Sequence, residues 1–316
     1  MCASTATRAD ASRPIDVSRP CYPIEKPGTD AIKLLVGGFG WIASVSSRGV
    51  KKASSVALNT AHIDWRSSVD HVEFLAKMKR ILRPNTYIEI GIASGTTLFS
   101  DPIPNFVIGI DPNPAFESKV GSRLNAVHNS MIMRSTSDNA FAQLSSQRLL
   151  GDRKCDMAFV DGLHHCEVVL RDIANCARLS REHALIFVHD IFPGNEIEAS
   201  RQPPNQPGSW MGDVYKVVPA IWQFLDWIPT VLVVDVPPSG MFILRTGGDI
   251  YNGIMKQIQN LEAAMASYDF ASVMQEMRAK AISHSSRPLA AFIEESIGEL
   301  PEGETAAQFL ICSMMS

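Results

Sequence analysis

Histidines and acidic residues stand together at the ends of several apolar runs in this chain. Asp111, Asp161 and Asp190 each end or closely follow such a run, His164 lies three residues after Asp161, and His189 precedes Asp190. Carboxylates accept hydrogen bonds and bind cations, and an imidazole can take up a proton near neutral pH. These residue types and spacings are those of a general base, a cation site or a site for a polar ligand.

Short apolar runs alternate with amphipathic segments through the middle of the chain, which indicates an α/β fold. Strands are predicted at 87–90, 106–111, 130–133, 156–161 and 184–188, and helices at 68–82, 140–149, 166–179 and 214–225. Ser68 is the expected N-cap of the first helix. Continuous apolar strands between helices are typical of a parallel, doubly wound sheet, and such a sheet binds ligands beyond the carboxyl ends of its strands.

The later sequence predicts a change to antiparallel pairing. Two apolar runs are joined by the four-residue turn Pro237-Pro238-Ser239-Gly240, which is a hairpin pattern. After residue 248 the pattern is helical. We therefore predict three segments, which are a flexible arm (1–65), a central domain (66–248) and a helical C-terminal extension (249–316).

A glycine turn follows the first predicted strand. The segment reads Glu89-Ile90-Gly91-Ile92-Ala93-Ser94-Gly95-Thr96-Thr97, and its glycines allow backbone to approach a ligand closely. Ser94 and Thr96 add hydroxyl groups. The segment is neither G-x-G-x-x-G nor a P-loop, because no Gly-Lys-Ser/Thr follows.

Two other strand ends each allow two interpretations. Asp111 could hold ribose hydroxyls, or it could stabilise the turn at Pro112. Ser137 and Asp138 could begin a helix as capping residues, or they could contact an adenine. Because like charges repel, several carboxylates at one sheet edge indicate a polar ligand or a cation there.

Composition excludes some classes of function. The 316 residues contain 29 Lys and Arg against 33 Asp and Glu, a net charge of −4, so nothing indicates a nucleic-acid partner. The apolar stretch at 34–43 is too short to span a membrane. Six scattered cysteines form no C-x-x-C pair. We expect a soluble, cytoplasmic protein with neither membrane nor nucleic-acid partners.

The motifs together resemble those of class I S-adenosylmethionine-dependent methyltransferases. The runs 88–97 and 108–111 look like the first two motifs of that family. Asp161-Gly162-Leu163-His164, with His189-Asp190, is similar to a subgroup that has Asp-Gly-x-His after strand 4 and His-Asp after strand 5. The resemblance covers residues 68–246 and implies a Rossmann-like, seven-stranded sheet whose last strand is antiparallel.

The resemblance also implies roles for individual residues. The cofactor, S-adenosylmethionine, would be held by residues of the glycine turn and the strand ends, namely Glu89, Gly91, Ser94, Gly95, Thr96, Asp111, Ser137, Asp138 and Asp161. His164 occupies the position of the catalytic base in similar metal-dependent O-methyltransferases. We therefore expect His164, with Asp161, to be catalytic, unless the histidine only caps the following helix.

A divalent metal is a further expectation. Asp161 and Asp190 end strands that should be neighbours, and such a pair suits Mg²⁺. The metal-dependent relatives have another Asp or Asn after the strand-5 aspartate, where this chain has Ile191. A ligating histidine, His165 or His189, would favour Zn²⁺, Mn²⁺ or Fe²⁺ instead.

The expected reaction is O-methylation of a small molecule or glycan. The segment 194–212 could form a lid in which Trp210 stacks on a sugar or ring, or it could be a surface insertion. A nicotinamide-dependent oxidoreductase and a catalytically silent binding module are the alternatives. The C-terminal helices are expected to support a homo-oligomer.

Overall fold

The computed structural model describes residues 69–116, 129–146, 148–205, 207–225, 231–247 and 249–297. The predicted arm at 1–65 lies outside the described residues. Among those described, no helix has the length and apolar character needed to cross a membrane.

A single eight-stranded sheet forms the centre of the fold. In chain order the strands are β1 (Thr86–Ile90), β2 (Phe106–Ile110), β3 (Ser130–Met133), β4 (Cys155–Val160), β5 (Ser180–His189), β6 (Val231–Asp235), β7 (Met241–Arg245) and β8 (Ile282–Ser283). Their spatial order is β3-β2-β1-β4-β5-β7-β6-β8. Only β7 runs antiparallel to its neighbours. The predicted Rossmann-like sheet is confirmed, and the two-residue strand β8 is an addition to the expected seven.

The helices follow the predicted amphipathic segments closely. They are α1 (His71–Leu82), α2 (Ser137–Ser146), α3 (Cys166–Leu179), α4 (Val217–Phe224), α5 (Ile250–Ser267), α6 (Phe270–Lys280) and α7 (Arg287–Ile297). The prediction of Ser68 as the first N-cap was wrong. Asp70 caps α1, because its Oδ1 accepts the backbone N–H of Glu73 at 2.9 Å.

Alternation along each strand builds a core on both faces of the sheet. In β1, for example, Tyr87 packs on one face and Ile88 on the other. The C-terminal helices complete both cores, since Leu261 and Met265 of α5 join one cluster and Phe292 of α7 joins the other. Residues 249–297 thus contain α5, α6, α7 and the short strand β8, and they belong to the same packed unit as the sheet.

Candidate active site

A cleft of about 810 Å³ opens at the carboxyl ends of the central strands. It lies where the strand order reverses, between β1 and β4, as expected for a doubly wound sheet. Most of the predicted site residues line it, namely Gly91, Asp111, Ser137, Asp138, Asp161, His164 and Asp190. The fold thus brings residues that follow five strands, β1 to β5, into one cavity.

The glycine loop after β1 packs tightly against the end of β4. Gly91 has φ +81°, and a Cβ there would overlap the carbonyl oxygen of Asp161, so only glycine fits. Asp111 holds the loop from the other side, because its Oδ2 accepts the backbone N–H of Ala93 at 2.9 Å. These contacts leave loop backbone facing the cleft at Gly91 and Ala93.

Four other predicted cofactor residues lie outside the cleft wall. Glu89 is completely buried beneath the loop, where its carboxylate accepts hydrogen bonds from Tyr87 Oη (2.7 Å) and Thr97 Oγ1 (2.5 Å). Burial raises the pKa of Glu89 to about 7. Ser94 and Thr96 bond to each other through their hydroxyls at 2.8 Å, and Gly95 provides a turn with φ +81°. The structure therefore gives these residues contacts that shape the loop.

The start of α2 also lines the cleft. Ser137 is its first residue, and Asp138 lies in its first turn. Arg171 of α3 binds Asp138 with two donors, Nε at 3.1 Å and Nη2 at 3.0 Å. The side chain of Arg171, which the motifs did not reveal, thus occupies both oxygens of Asp138.

His164 lines the cleft, and its contacts fix which ring nitrogen carries a proton. Its Nδ1 lies 2.8 Å from the carbonyl oxygen of Trp210, which can only accept a hydrogen bond, so Nδ1 carries a proton. Nε2 lies 3.5 Å from Asp161 Oδ1 and 3.2 Å from Asp190 Oδ2. Burial lowers the pKa of His164, but the hydrogen bond to Asp161 and the charge of Asp190 outweigh it, and the net pKa is raised.

A second histidine, His189, contacts the same two carboxylates. His189 Nδ1 lies 3.3 Å from Asp161 Oδ1 and 3.2 Å from Asp190 Oδ1. On its other side, Nε2 lies 3.1 Å from Ser239 Oγ, whose hydroxyl donates to Asp190 Oδ1 at 2.5 Å. Ser239 belongs to the β6–β7 turn, so the hairpin reaches the site.

The two carboxylates respond differently to this environment. Burial tends to raise the pKa of Asp161, but hydrogen bonds from His164 and His189 lower it below its usual range. Burial raises the pKa of Asp190, and the nearby charge of Asp161 adds to that effect. Asp190 also has φ +62°, an uncommon left-handed conformation for a non-glycine residue, which directs its side chain toward the pair of histidines.

The segment between β5 and α4 supports His164 from behind. The ring of Trp210 packs on His164 with centroids 5.1 Å apart, and its Nε1 donates to the carbonyl of Ser200 at 2.7 Å. Arg201 of this segment forms ion pairs with Glu167 of α3 and, at 3.0 Å, with Asp213 of the same segment. Trp210 does not line the cleft described above, and its described contacts are with His164, His165 and Ser200.

His71 is a cleft residue that the sequence analysis missed. It is the first residue of α1, and its ring packs on that of His189 with centroids 4.4 Å apart. Burial lowers the pKa of His71, and the nearby His189 lowers it further. The neutral form of His71 is therefore favoured, in contrast to His164 and His189, whose pKa values are raised.

The predicted metal pair gains a third donor in the structure. One ligand atom each from Asp161, His164 and Asp190 lie within 4.8 Å of one another, a spacing that suits a divalent cation. Ile191, buried and apolar, offers no ligand. The donor set of two carboxylates and one imidazole fits Mn²⁺, Fe²⁺ or Zn²⁺ better than Mg²⁺.

Comparison with known proteins gives a family match over the central part of the chain. Residues 88–191, about a third of the sequence, match the family model described as a methyltransferase domain. No curated protein matches the sequence.

Several solved structures of methyltransferases are similar to part of this chain at low identity and low TM-score. An O-methyltransferase from Bacillus cereus in complex with S-adenosylhomocysteine is 15% identical, with a TM-score of 0.40 over 56% of this chain and 80% of that chain. The O-methyltransferase TomG from Streptomyces achromogenes, in complex with S-adenosylmethionine, is 18% identical, with a TM-score of 0.37 over 56% and 79%. The N-methyltransferase NodS from Bradyrhizobium japonicum WM9 is 12% identical, with a TM-score of 0.36 over 55% and 94%.

Proposed function

We propose that this chain is an S-adenosylmethionine-dependent methyltransferase that methylates an oxygen of a small molecule or glycan. The observation that carries the proposal is the fixed tautomer of His164, whose Nε2 faces Asp161 and Asp190 at the same cleft that the glycine loop lines. The family match over residues 88–191 supports the same class of reaction.

The cleft offers a separate place for each part of the cofactor. In this proposal the backbone at Gly91 and Ala93 would receive the methionine portion, Asp111 would accept hydrogen bonds from the ribose hydroxyls, and Ser137 and Asp138 would lie beside the adenine. The bound cofactor would supply an activated methyl group. Because the methyl is already activated, the protein needs only to orient it and to provide a deprotonated acceptor.

His164 provides the proton acceptor in this proposal. Its Nε2 takes the hydroxyl proton of the acceptor as the acceptor oxygen forms a bond to the methyl carbon. S-adenosylmethionine would supply the methyl group, and the electron pair of the broken carbon–sulfur bond would stay on its sulfur, leaving S-adenosylhomocysteine. The imidazolium then stands beside Asp161 and Asp190, whose charges stabilise it.

A bound metal would give His164 a different role. Since Nδ1 carries the proton donated to Trp210, Nε2 has the only available lone pair of the ring, and it can serve either a metal or a proton. A divalent ion on Asp161, His164 and Asp190 would lower the pKa of the acceptor hydroxyl as a Lewis acid. Dialysis against EDTA separates the two roles, because base catalysis predicts unchanged turnover. Loss of turnover that added Mn²⁺ restores would assign His164 as a ligand.

Calorimetry tests the proposed cofactor directly. We expect S-adenosylmethionine and S-adenosylhomocysteine to bind with one site per chain and NAD not to bind. NAD binding alone would instead support the oxidoreductase, and binding of neither would support a silent module. A screen of hydroxyl-bearing small molecules and glycans with methyl-labelled cofactor then identifies the acceptor. Oligomerisation through the C-terminal helices stays a prediction.

A further inference from the structure

Helix α1 buries one lysine completely, although the next residue of the helix is exposed. Lys79 has no exposed surface, whereas Arg80, the next residue, is exposed. A buried ammonium is strongly unfavourable unless each of its protons has an acceptor and an opposite charge lies nearby. The partners of Lys79 therefore indicate what the burial achieves.

All three donors of the ammonium are directed at the segment that follows the glycine loop. Lys79 Nζ donates to the carbonyl of Thr97 at 2.6 Å, to the carbonyl of Leu98 at 3.2 Å and to Ser100 Oγ at 3.1 Å. Thr97 and Leu98 lie in the turn closed by the bond from Phe99 N to Gly95 O at 3.1 Å. The lysine thus stabilises the C-terminal end of the loop, on the side away from the cleft.

Thr97 forms hydrogen bonds with both a lysine and a glutamate. Its carbonyl accepts from Lys79, and its hydroxyl donates to Glu89, the last glutamate of β1 before the loop. Tyr87 donates to the other oxygen of Glu89, and its ring lies 4.4 Å from Lys79 Nζ. The loop is therefore fixed between α1 and β1 by a network whose residues do not line the described cleft.

We propose that Lys79 is a positioning residue that sets the conformation of the glycine loop for its ligand. This inference rests on the proposed function only for the identity of the ligand, which is the methionine portion of S-adenosylmethionine. Lys79 acts through Thr97 and Leu98, and it contacts neither the cofactor nor the acceptor. Gly91 and Ala93, at the opposite end of the loop, provide the cleft surface.

Hydrogen exchange of the free protein tests the loop conformation without any ligand. Lys79→Met alone leaves Glu89 buried without its cation, so the main variant is the double substitution Lys79→Met/Glu89→Gln, which removes both buried charges. We expect amide exchange at 93–99 to rise at least tenfold, with exchange in β4 and β5 unchanged. Arg80→Met, which removes an exposed cation from the same helix, is the matched control and should leave exchange unchanged.

Calorimetry with S-adenosylhomocysteine gives the second readout. The double variant should bind it about tenfold more weakly, and Lys79→Arg should recover part of the loss. Exchange at 93–99 equal to that of the unaltered protein would overturn the proposal, even if the melting temperature falls, because a lysine that only supports the core would produce that result. If the unaltered protein binds no S-adenosylhomocysteine, the proposed function fails, and the exchange result still decides the role of Lys79.

Discussion

The Nδ1–H of His164 donates a hydrogen bond to the carbonyl oxygen of Trp210 over 2.8 Å. This contact places a proton on one side of the imidazole and directs the other nitrogen to Asp161 and Asp190. A residue 46 positions away in the chain thus decides which ring nitrogen is available for chemistry.

His164→Gln should abolish most of the methyl transfer. Loss of a general base costs about 10²- to 10⁴-fold in turnover, whereas affinity for S-adenosylhomocysteine should stay within about twofold because the cofactor does not depend on this side chain. Single-turnover assays and calorimetry measure the two effects. The adjacent His165, whose Nε2 lies 3.1 Å from the carbonyl of Arg201, provides the control His165→Gln. Equal losses in both variants would contradict a specific role for His164.

Replacement of Trp210 should affect turnover more than cofactor binding. Trp210→Ala removes the ring behind His164 and the anchor to Ser200, and misplacement of the base should lower kcat on the order of 10- to 100-fold. Trp210→Phe keeps an aromatic ring against His164 and should retain more activity. If Trp210→Ala instead raises the KM for the acceptor with kcat unchanged, the tryptophan contacts the acceptor and the positioning role is wrong.

The two acidic residues nearest the cofactor's sugar and base should differ in importance. Asp111→Asn should weaken binding of S-adenosylhomocysteine about 10- to 100-fold, because it removes a carboxylate that holds the loop backbone at Ala93 and faces the proposed ribose position. Asp138→Asn should change it by less than about threefold, since the charge of Asp138 is already paired with the guanidinium of Arg171. Calorimetry on both variants measures the difference, and a larger effect of Asp138→Asn would reverse the assignment.

Asp172 should make the folded protein less stable as the pH rises. Its side chain is buried in α3, near Ser137 and the negative charge of Asp138. Burial raises its pKa from 3.8 to about 7, although a hydrogen bond with Ser137 opposes that change. Well below pH 3.8 the group is protonated in both the folded and unfolded states, so it has no effect there. Between pH 4 and pH 7 the unfolded state ionises first, and the free energy of unfolding falls.

The variant Asp172→Asn isolates this effect. Its free energy of unfolding, minus that of the unaltered protein, should increase by about 3 kcal/mol from pH 4 to pH 8. Urea unfolding at several pH values measures the difference, and the comparison across pH cancels the constant cost of a buried amide. A difference that does not vary with pH would show that Asp172 ionises normally in the folded protein.

The order of strands and helices could be predicted well because each element carries its own pattern. Cys166–Leu179 has the predicted bounds, since its apolar residues recur on one helical face. The hairpin could be predicted from its turn residues. The first cap was misplaced because Ser68 and Asp70 are both good capping residues, and only the hydrogen bond to Glu73 N separates them. Strand β8 has two residues and no pattern that could reveal it.

The site could be predicted only where its residues follow strand ends. Asp111, Asp161, His164 and Asp190 meet in one cleft as expected. Ser239 could not be assigned, since its contacts depend on how far the hairpin turn reaches across the sheet. Lys79 did leave a signal, because a lysine four residues after Leu75 falls on the apolar stripe of α1.

The packing of the C-terminal helices decides how far a shortened protein must extend. Helix α5 packs against α3 and α4 on one side of the sheet, and α7 packs against β5 on the other, so a protein ending at residue 248 would leave apolar surface exposed on both sides. Such a fragment is expected to aggregate, and its mass in solution would report that aggregation instead of subunit association. A shortened protein for crystallisation or binding assays should therefore retain the residues through 297.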